Sequence, residues 1–263
     1  MKRFDTALVT GASAGLGGEY ARQLALRCRR LVLVARRGDR LATLAAELKT
    51  AVPELEVRTM IFDLRDPDQR LNLIEDLLVS GAVPDLLVNN AGLGDYGSFC
   101  SADWERIESM IGVNIEALTH LTHALLPAML RAGGGAILNV SSLASLVPIP
   151  NLAVYAATKA YVSSFSEALR LELRGAGIPV LAVCPGPVPT EFGRVANRDP
   201  DSDVMIGARK WFYESREKVV RDSLRALDRD RARIYPGLKV AAVAALIGVL
   251  PMIVLRQVLA REA

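Results

Sequence analysis

Cysteine and histidine are scarce in this chain, and each scarcity removes a class of function. The 263 residues hold three cysteines, Cys28, Cys100 and Cys184. Scattered and odd in number, they argue against a disulfide framework and fit a reducing, cytoplasmic setting. There are two histidines, His120 and His123. They share a helix face without an accompanying ligand cluster, so they read as ordinary helix residues and no metal site is expected. Charge of one sign is also lacking: the net charge is +3, and no basic stripe interleaved with aromatics points to nucleic acid. Lys2 and Arg3 precede only a short apolar run that passes straight into a glycine-rich turn, so no secretory signal is expected. What is present is apolar: with 51% hydrophobic and 23% charged residues the chain can bury a sizeable core, which argues against disorder.

The apolar residues alternate between two periods. Short runs at Thr6–Thr10, Leu31–Ala35, Glu56–Phe62, Asp85–Asn89, Ala136–Val140 and Ile178–Cys184 read as strands. Segments at helical spacing separate them, over Gly15–Arg27, Gly38–Lys49, Pro67–Val79, about Ala102–Arg131 and from Tyr155 towards Arg174. Repeated β and α elements imply an α/β fold, a doubly wound parallel sheet with helices on both faces. Its ligand crevice lies outside the carboxyl ends of the strands.

Several loops at that end carry residues suited to chemistry. Between the first strand and first helix, Gly11, Gly15 and Gly17 permit unusual backbone angles, close approach to a pyrophosphate and tight helix packing. The helix N-terminus then offers unpaired N–H groups to an anion. The second strand ends in Arg36-Arg37, where an acid would select free ribose hydroxyls. Two guanidiniums there favour a 2′-phosphate, hence NADP(H) over NAD(H), although a solvated basic turn is the plainer alternative and Asp39 lies close by. Asp63 is placed to accept from an adenine amino group, or is a turn carboxylate. Asn89-Asn90-Ala91-Gly92 suits a tight turn that also pins neighbouring strands. Asn114 falls inside a helix, a poor position for asparagine that needs a reason. Ser141 and Ser142 close the fifth strand. Tyr155 and Lys159, four apart, are neighbours on one helix face, where an ammonium is expected to lower the phenol pKa.

Together these motifs resemble the short-chain dehydrogenase/reductase family, of the classical type. The resemblance rests on Thr-Gly-x-x-x-Gly-x-Gly at Thr10 to Gly17, Asn-Asn-Ala-Gly at Asn89 to Gly92, Tyr-x-x-x-Lys at Tyr155 to Lys159, and Pro185-Gly186 with Thr190. It runs from the first strand to about Phe192. It implies a Rossmann-like, seven-stranded, mostly parallel sheet, with Ile234 to Gly237 as the last strand and its exit. It also implies a homo-oligomer and a carbonyl/alcohol substrate. The implied catalytic set is Asn114, Ser142, Tyr155 and Lys159: Tyr155 as acid/base, Lys159 lowering its pKa, Ser142 bonding the reacting oxygen, and Asn114 anchoring a relay water. The implied coenzyme contacts are Gly11, Ser13, Gly15, Leu16, Gly17, Arg36, Arg37, Asp63, Leu64, Asn90, Ala91, Gly92, Tyr155, Lys159, Pro185, Gly186, Val188 and Thr190. A non-catalytic NADP(H)-binding protein of the same fold is the competing class.

The remainder is less regular. Pro185 to Phe192 is too proline-rich for regular structure, and polar residues from Val195 to Ser202 suggest a mobile connection. A helix over Met205 to Leu227 is expected to carry Trp211, Phe212 and Tyr213, either as a lid or as core. Leu93, Leu143, Leu146, Val147 and Phe192 flank the site and predict a fairly apolar substrate. After a single domain over residues 1–237 comes an extension, 238–263. Its apolar run from Val240 to Leu255 is short for a bilayer span, and a membrane-surface helix, a packed helix and an oligomer interface all remain open.

Overall fold

The computed structural model describes residues 1–198 and 212–260. Seven strands form one sheet: β1 (Phe4–Thr10), β2 (Cys28–Ala35), β3 (Glu56–Ile61), β4 (Leu86–Asn89), β5 (Ala136–Val140), β6 (Val180–Val183) and β7 (Arg233–Ile234). Their order is β3-β2-β1-β4-β5-β6-β7, and every pairing is parallel, not merely most of them. The order reverses between β1 and β4, which opens a crevice above their carboxyl ends.

Burial on both faces explains why the central strands are continuously apolar. Along a strand successive side chains point to opposite faces. Ala7 and Val9 of β1, with Leu31 and Leu33 of β2, therefore feed one core; Leu8, Val32 and Val34 feed the other. The first core is covered by α1 (Gly15–Ala25), α2 (Gly38–Ala51) and α8 (Arg216–Asp228), the second by α3 (Pro67–Val79), α5 (Leu118–Arg131) and α6 (Ala153–Glu172). Local signals set several boundaries. Asp66 caps α3 by accepting from the Asp68 and Gln69 amides, and Pro67 occupies the first turn, where its missing N–H has no role.

The region expected as one helix over 102–131 is three pieces: α4 (Trp104–Ile111), a π-helical turn (Gly112–Ala117) and α5. Asn114 sits in the π turn, so the poor helix former coincides with the irregularity. The loop after β6 is also more ordered than its prolines suggest, because Thr190 caps a short helix, α7 (Glu191–Ala196), by accepting from the Phe192 amide. Phe212 and Tyr213 precede α8, which begins only at Arg216, so the helix expected up to Leu227 is interrupted between Tyr213 and Ser215. Met205 to Trp211 lie outside the described residues.

A buried amide ladder ties the sheet together beneath the crevice. Asn89 and Asn139 are register partners on β4 and β5, and Asn89 donates to Asn139 at 2.9 Å and to Thr122 at 3.0 Å. Asn139 donates onward to Ser166 at 2.9 Å. Truncating either asparagine would strand a buried partner at a cost of about 1–3 kcal/mol.

Candidate active site

The β1–α1 turn owes its shape to three glycines whose missing side chains leave no alternative. Gly11 and Gly15 have φ of 67° and 57°, in the left-handed region. A Cβ on Gly17 would meet the Gly11 carbonyl oxygen at 2.3 Å and the Asn90 amide nitrogen at 2.5 Å. Asn90 holds the same turn from the other side, donating to the Thr10 carbonyl at 2.9 Å, while the Thr10 hydroxyl accepts from the Asn90 and Ala91 amides. The Asn-Asn-Ala-Gly segment thus pins two neighbours: Asn89 the fifth strand, Asn90 the first.

A cleft of about 1070 Å³ runs above the carboxyl ends of the strands. Of the residues anticipated for catalysis and coenzyme contact, it brings together all but Gly17 and Asn114. Gly17 packs beneath the turn. Asn114 is 1% exposed and stands behind the wall. Its amide donates to the Leu93 carbonyl and the Thr158 hydroxyl, both at 2.9 Å, and its oxygen accepts from the Leu93 amide at 2.8 Å. With both amide protons spent on protein, a relay water there could be held only by oxygen.

Helix α6 delivers Tyr155 and Lys159 to the middle of the cleft. Lys159 is buried, its ammonium donating to the Val140 carbonyl at 2.9 Å and lying 5.8 Å from the centre of the Tyr155 ring. Burial lowers the Lys159 ammonium to about 8, with Cys184 working the other way. Burial pushes the Tyr155 phenol up to about 12, against a hydrogen bond from Ser142 that lowers it. The expected net fall of the phenol below its ordinary value is therefore corrected: burial raises it. The ammonium is committed to a backbone carbonyl, and desolvation of the phenolate outweighs it.

The two serines divide cleanly. Ser141 is buried and spends its hydroxyl on the Lys159 carbonyl and on Ser163, both at 2.8 Å. Ser142 accepts only from the Ala144 amide and is left to face Tyr155. Gly92 sits against this group, since a Cβ there would reach Asn114 Oδ1 and Lys159 Nζ at 3.4 Å.

At the other end of the cleft, Arg36 and Arg37 are about half exposed. Arg37 donates to Ser13 at 3.2 Å and to Glu191 at 3.0 Å, and Arg40 donates to the same carboxylate at 2.8 Å. Hydrogen bonds from Arg40 and Arg37 pull the Glu191 carboxyl down to about 2. Asp63 lies 3.9 Å from Arg36 but is gripped by Arg65 at 2.6 Å. Burial pushes the Asp63 carboxyl up, yet the bonds from Arg65 prevail and leave it below the usual range. An adenine amino group would have to share that carboxylate with Arg65.

Sequence reasoning missed Glu191 and Arg40. An acid directly after Thr190, facing a basic strand end, was the available signal. It also missed Thr158, whose role depends wholly on tertiary contact. Of the apolar residues expected around the site, Leu93, Leu143, Val147 and Phe192 line it, whereas Leu146 does not. Phe192 packs on Tyr155 with ring centres 5.5 Å apart. Phe212 and Tyr213 line the cleft too, as do Val243, Ile247 and Leu259 from the C-terminal helices.

The short chain dehydrogenase family model matches residues 5–201. Sulfoacetaldehyde reductase 2 of Chromohalobacter salexigens is 39% identical over 193 residues, covering 72% of this chain and 74% of that protein. The very-long-chain 3-oxoacyl-CoA reductase of Homo sapiens is 34% identical over 206 residues, covering 76% of this chain and 64% of that one. Among solved structures, a short-chain dehydrogenase from Sphingobium yanoikuyae in complex with NADPH is similar with a TM-score of 0.81 and 36% identity, covering 98% of this chain and 96% of that chain.

Proposed function

The chain belongs to the short-chain dehydrogenase family, and from that premise we propose that it is an NADP(H)-dependent oxidoreductase interconverting a carbonyl and an alcohol on an apolar small molecule. The observation that carries the reading is the convergence of Tyr155, Lys159 and Ser142 in the cleft that also holds the glycine turn and the two arginines. The turn fits a dinucleotide: Gly11 and Gly15 leave the backbone bare above the N-terminus of α1, and Ser13, Ala14, Gly15 and Leu16 line the cleft there.

When bound, the nicotinamide coenzyme supplies or accepts the hydride. In the reducing direction Tyr155 gives its phenolic proton to the carbonyl oxygen, and Ser142 donates a hydrogen bond to that oxygen as charge develops on it. The Lys159 charge then favours the phenolate left on Tyr155. A phenol held near 12 is protonated at neutral pH, the form reduction needs. Oxidation needs the phenolate and is favoured at higher pH.

The coenzyme preference rests on charge. Arg36, Arg37, Arg40 and Arg65 share two carboxylates, Asp63 and Glu191, so a 2′-phosphate would find guanidinium not fully neutralised. An apolar substrate suits Leu93, Leu143, Val147, Phe192 and Val243 around the reacting groups. The relatives named as acting on sulfoacetaldehyde and on very-long-chain 3-oxoacyl-CoA are both reductases, which supports the reaction type more than any one substrate.

The test is turnover of a panel of ketones and secondary alcohols with NADPH, NADH and their oxidised forms, comparing wild type with Tyr155→Phe. Turnover with NADPH that Tyr155→Phe abolishes is the expected result. Activity untouched by that change would reject the mechanism, and coenzyme binding without any turnover would favour the non-catalytic class.

A further inference from the structure

Helix α7 walls the cleft through Glu191, Phe192, Gly193 and Val195, and its two ends are held unequally. At the rear, Ala196 is buried and its carbonyl accepts from the Tyr96 amide at 2.8 Å, while Tyr96 and Asn197 pair as a parallel bridge. Arg198 donates twice to the Asp95 carboxylate, at 3.0 and 2.6 Å. Arg106 lies 3.2 Å from the same carboxylate and donates to the Val195 carbonyl at 3.0 Å. The Asp95 side chain is 4% exposed, so water hardly competes for it. At the front, Glu191 is held by Arg37 and Arg40, and all three side chains are between 37% and 43% exposed. Ion pairs as wet as these are weak. The rear of α7 is thus built as a hinge and the front as a latch.

We propose that Glu191 sits in the seat of the coenzyme 2′-phosphate, so that NADP(H), unlike NAD(H), unlatches α7 and draws Phe192 off Tyr155. This coupling between the two ends of the cleft rests on the NADP(H)-dependent reading above.

Three observations carry it. First, Arg37 donates to both Ser13 and Glu191, so the carboxylate occupies a guanidinium beside the glycine turn, at the strand end where a ribose phosphate binds in this kind of fold. Second, the incoming anion is the stronger one. Glu191 brings a single charge, which it keeps throughout the neutral range because the arginines hold its carboxyl at about 2. A phosphate monoester brings nearly two charges and three acceptor oxygens to the same guanidinium and displaces it. NAD(H) has only a hydroxyl at that position, and a ligand without differential affinity shifts no equilibrium. Third, the residue after Glu191 is Phe192, whose ring centre lies 5.5 Å from that of Tyr155. Exchange of one anion for another at Arg37 is therefore passed one residue along the chain to the ring that covers the proton donor.

The test is hydrogen–deuterium exchange of the α7 amides in the full chain, free and with adenosine 2′,5′-bisphosphate or 5′-AMP, with binding of each probe followed by calorimetry. The bisphosphate should speed exchange in wild-type α7 by ~3-fold, and 5′-AMP should leave it unchanged. Glu191→Gln should exchange at the faster rate without any ligand. Arg40→Met, which loosens the latch and leaves Arg37 in place, should move part of the way. In turnover, the wild-type KM for a ketone from the panel should be ~3-fold lower with NADPH than with NADH, and Glu191→Gln should make the two equal. Bisphosphate that binds but leaves α7 exchange unchanged, or slows it, would overturn the latch while the coenzyme reading stands. Bisphosphate that binds no better than 5′-AMP would remove the phosphate seat, and the NADP(H) preference with it.

Discussion

At the coenzyme end of the cleft the walls are charged and cross-braced: Arg37 and Arg40 hold Glu191 from the opposite loop, and Arg65 holds Asp63. At the substrate end the walls are apolar, with Leu143, Val147, Phe192 and Val243 contributed by three separate segments. The middle, with Tyr155 and Lys159, rests on α6 and on the buried amide ladder. The difference follows from what each end must recognise. A dinucleotide presents fixed charges that reward fixed partners, whereas apolar surface is non-directional and can be assembled from any side chains that exclude water. Geometry is therefore demanding at one end and permissive at the other.

Substitutions in the middle of the cleft carry the largest expected effect. Lys159→Met removes the charge that favours the phenolate and is expected to lower kcat by ~10²–10⁴-fold, measured with saturating NADPH and any ketone the panel identifies. Arg36→Asp together with Arg37→Asp should weaken NADPH binding by ~10–100-fold, with much less effect on NADH, as read by fluorescence titration. Equal loss for both coenzymes would remove the arginines from phosphate recognition. At the permissive end, Val243→Ala should raise KM by ~3–10-fold with kcat little changed, the pattern of lost uniform binding. Glu191→Gln has the smallest expected effect. By releasing Arg37 and Arg40 it should tighten NADPH a few-fold while leaving NADH unmoved, a small change because the carboxylate and its partners are solvent-exposed.

The same contrast has a pH signature. For reduction, kcat/KM should be level through neutrality and fall above about pH 8, where Lys159 loses its proton. Tyr155, held near 12, keeps its proton over that range. Oxidation should rise with pH instead. A profile of initial rates in both directions from pH 6 to 10 separates the two, and a reduction rate that climbs through pH 8 would contradict the assignment.

How much of this was legible beforehand depended on how local the cause was. The glycine turn and the strands were readable because their causes lie in neighbouring residues: φ at Gly11 and Gly15, and unbroken apolar runs in β1 and β2. Tyr155 and Lys159 were readable because four residues span one helical turn. Their electrostatics were not, since the commitment of Lys159 to the Val140 carbonyl and the desolvation of the phenol arise from packing between distant segments. Glu191 and Thr158 act through partners 154 and 44 residues away. No local pattern announces such contacts. The apolar run from Val240 to Leu255 was visible as composition, but its break at Pro251 into two helices bent by 119° required coordinates.

The π turn from Gly112 to Ala117 carries one further consequence. Such a turn is a helix with a single surplus residue, accommodated as slack where an α-helix would be taut. Deleting one residue there would let α4 and α5 join into an unbroken helix, yet the chain ahead of the deletion would rotate by about 100° relative to the chain behind it. Asn114 would swing away from Leu93 and Thr158, or Ile107 and Met110 would leave the core. The surplus residue thus works as a phase adjuster: it lets one helix keep its apolar face inward on both sides while turning an amide towards the loop beside the cleft.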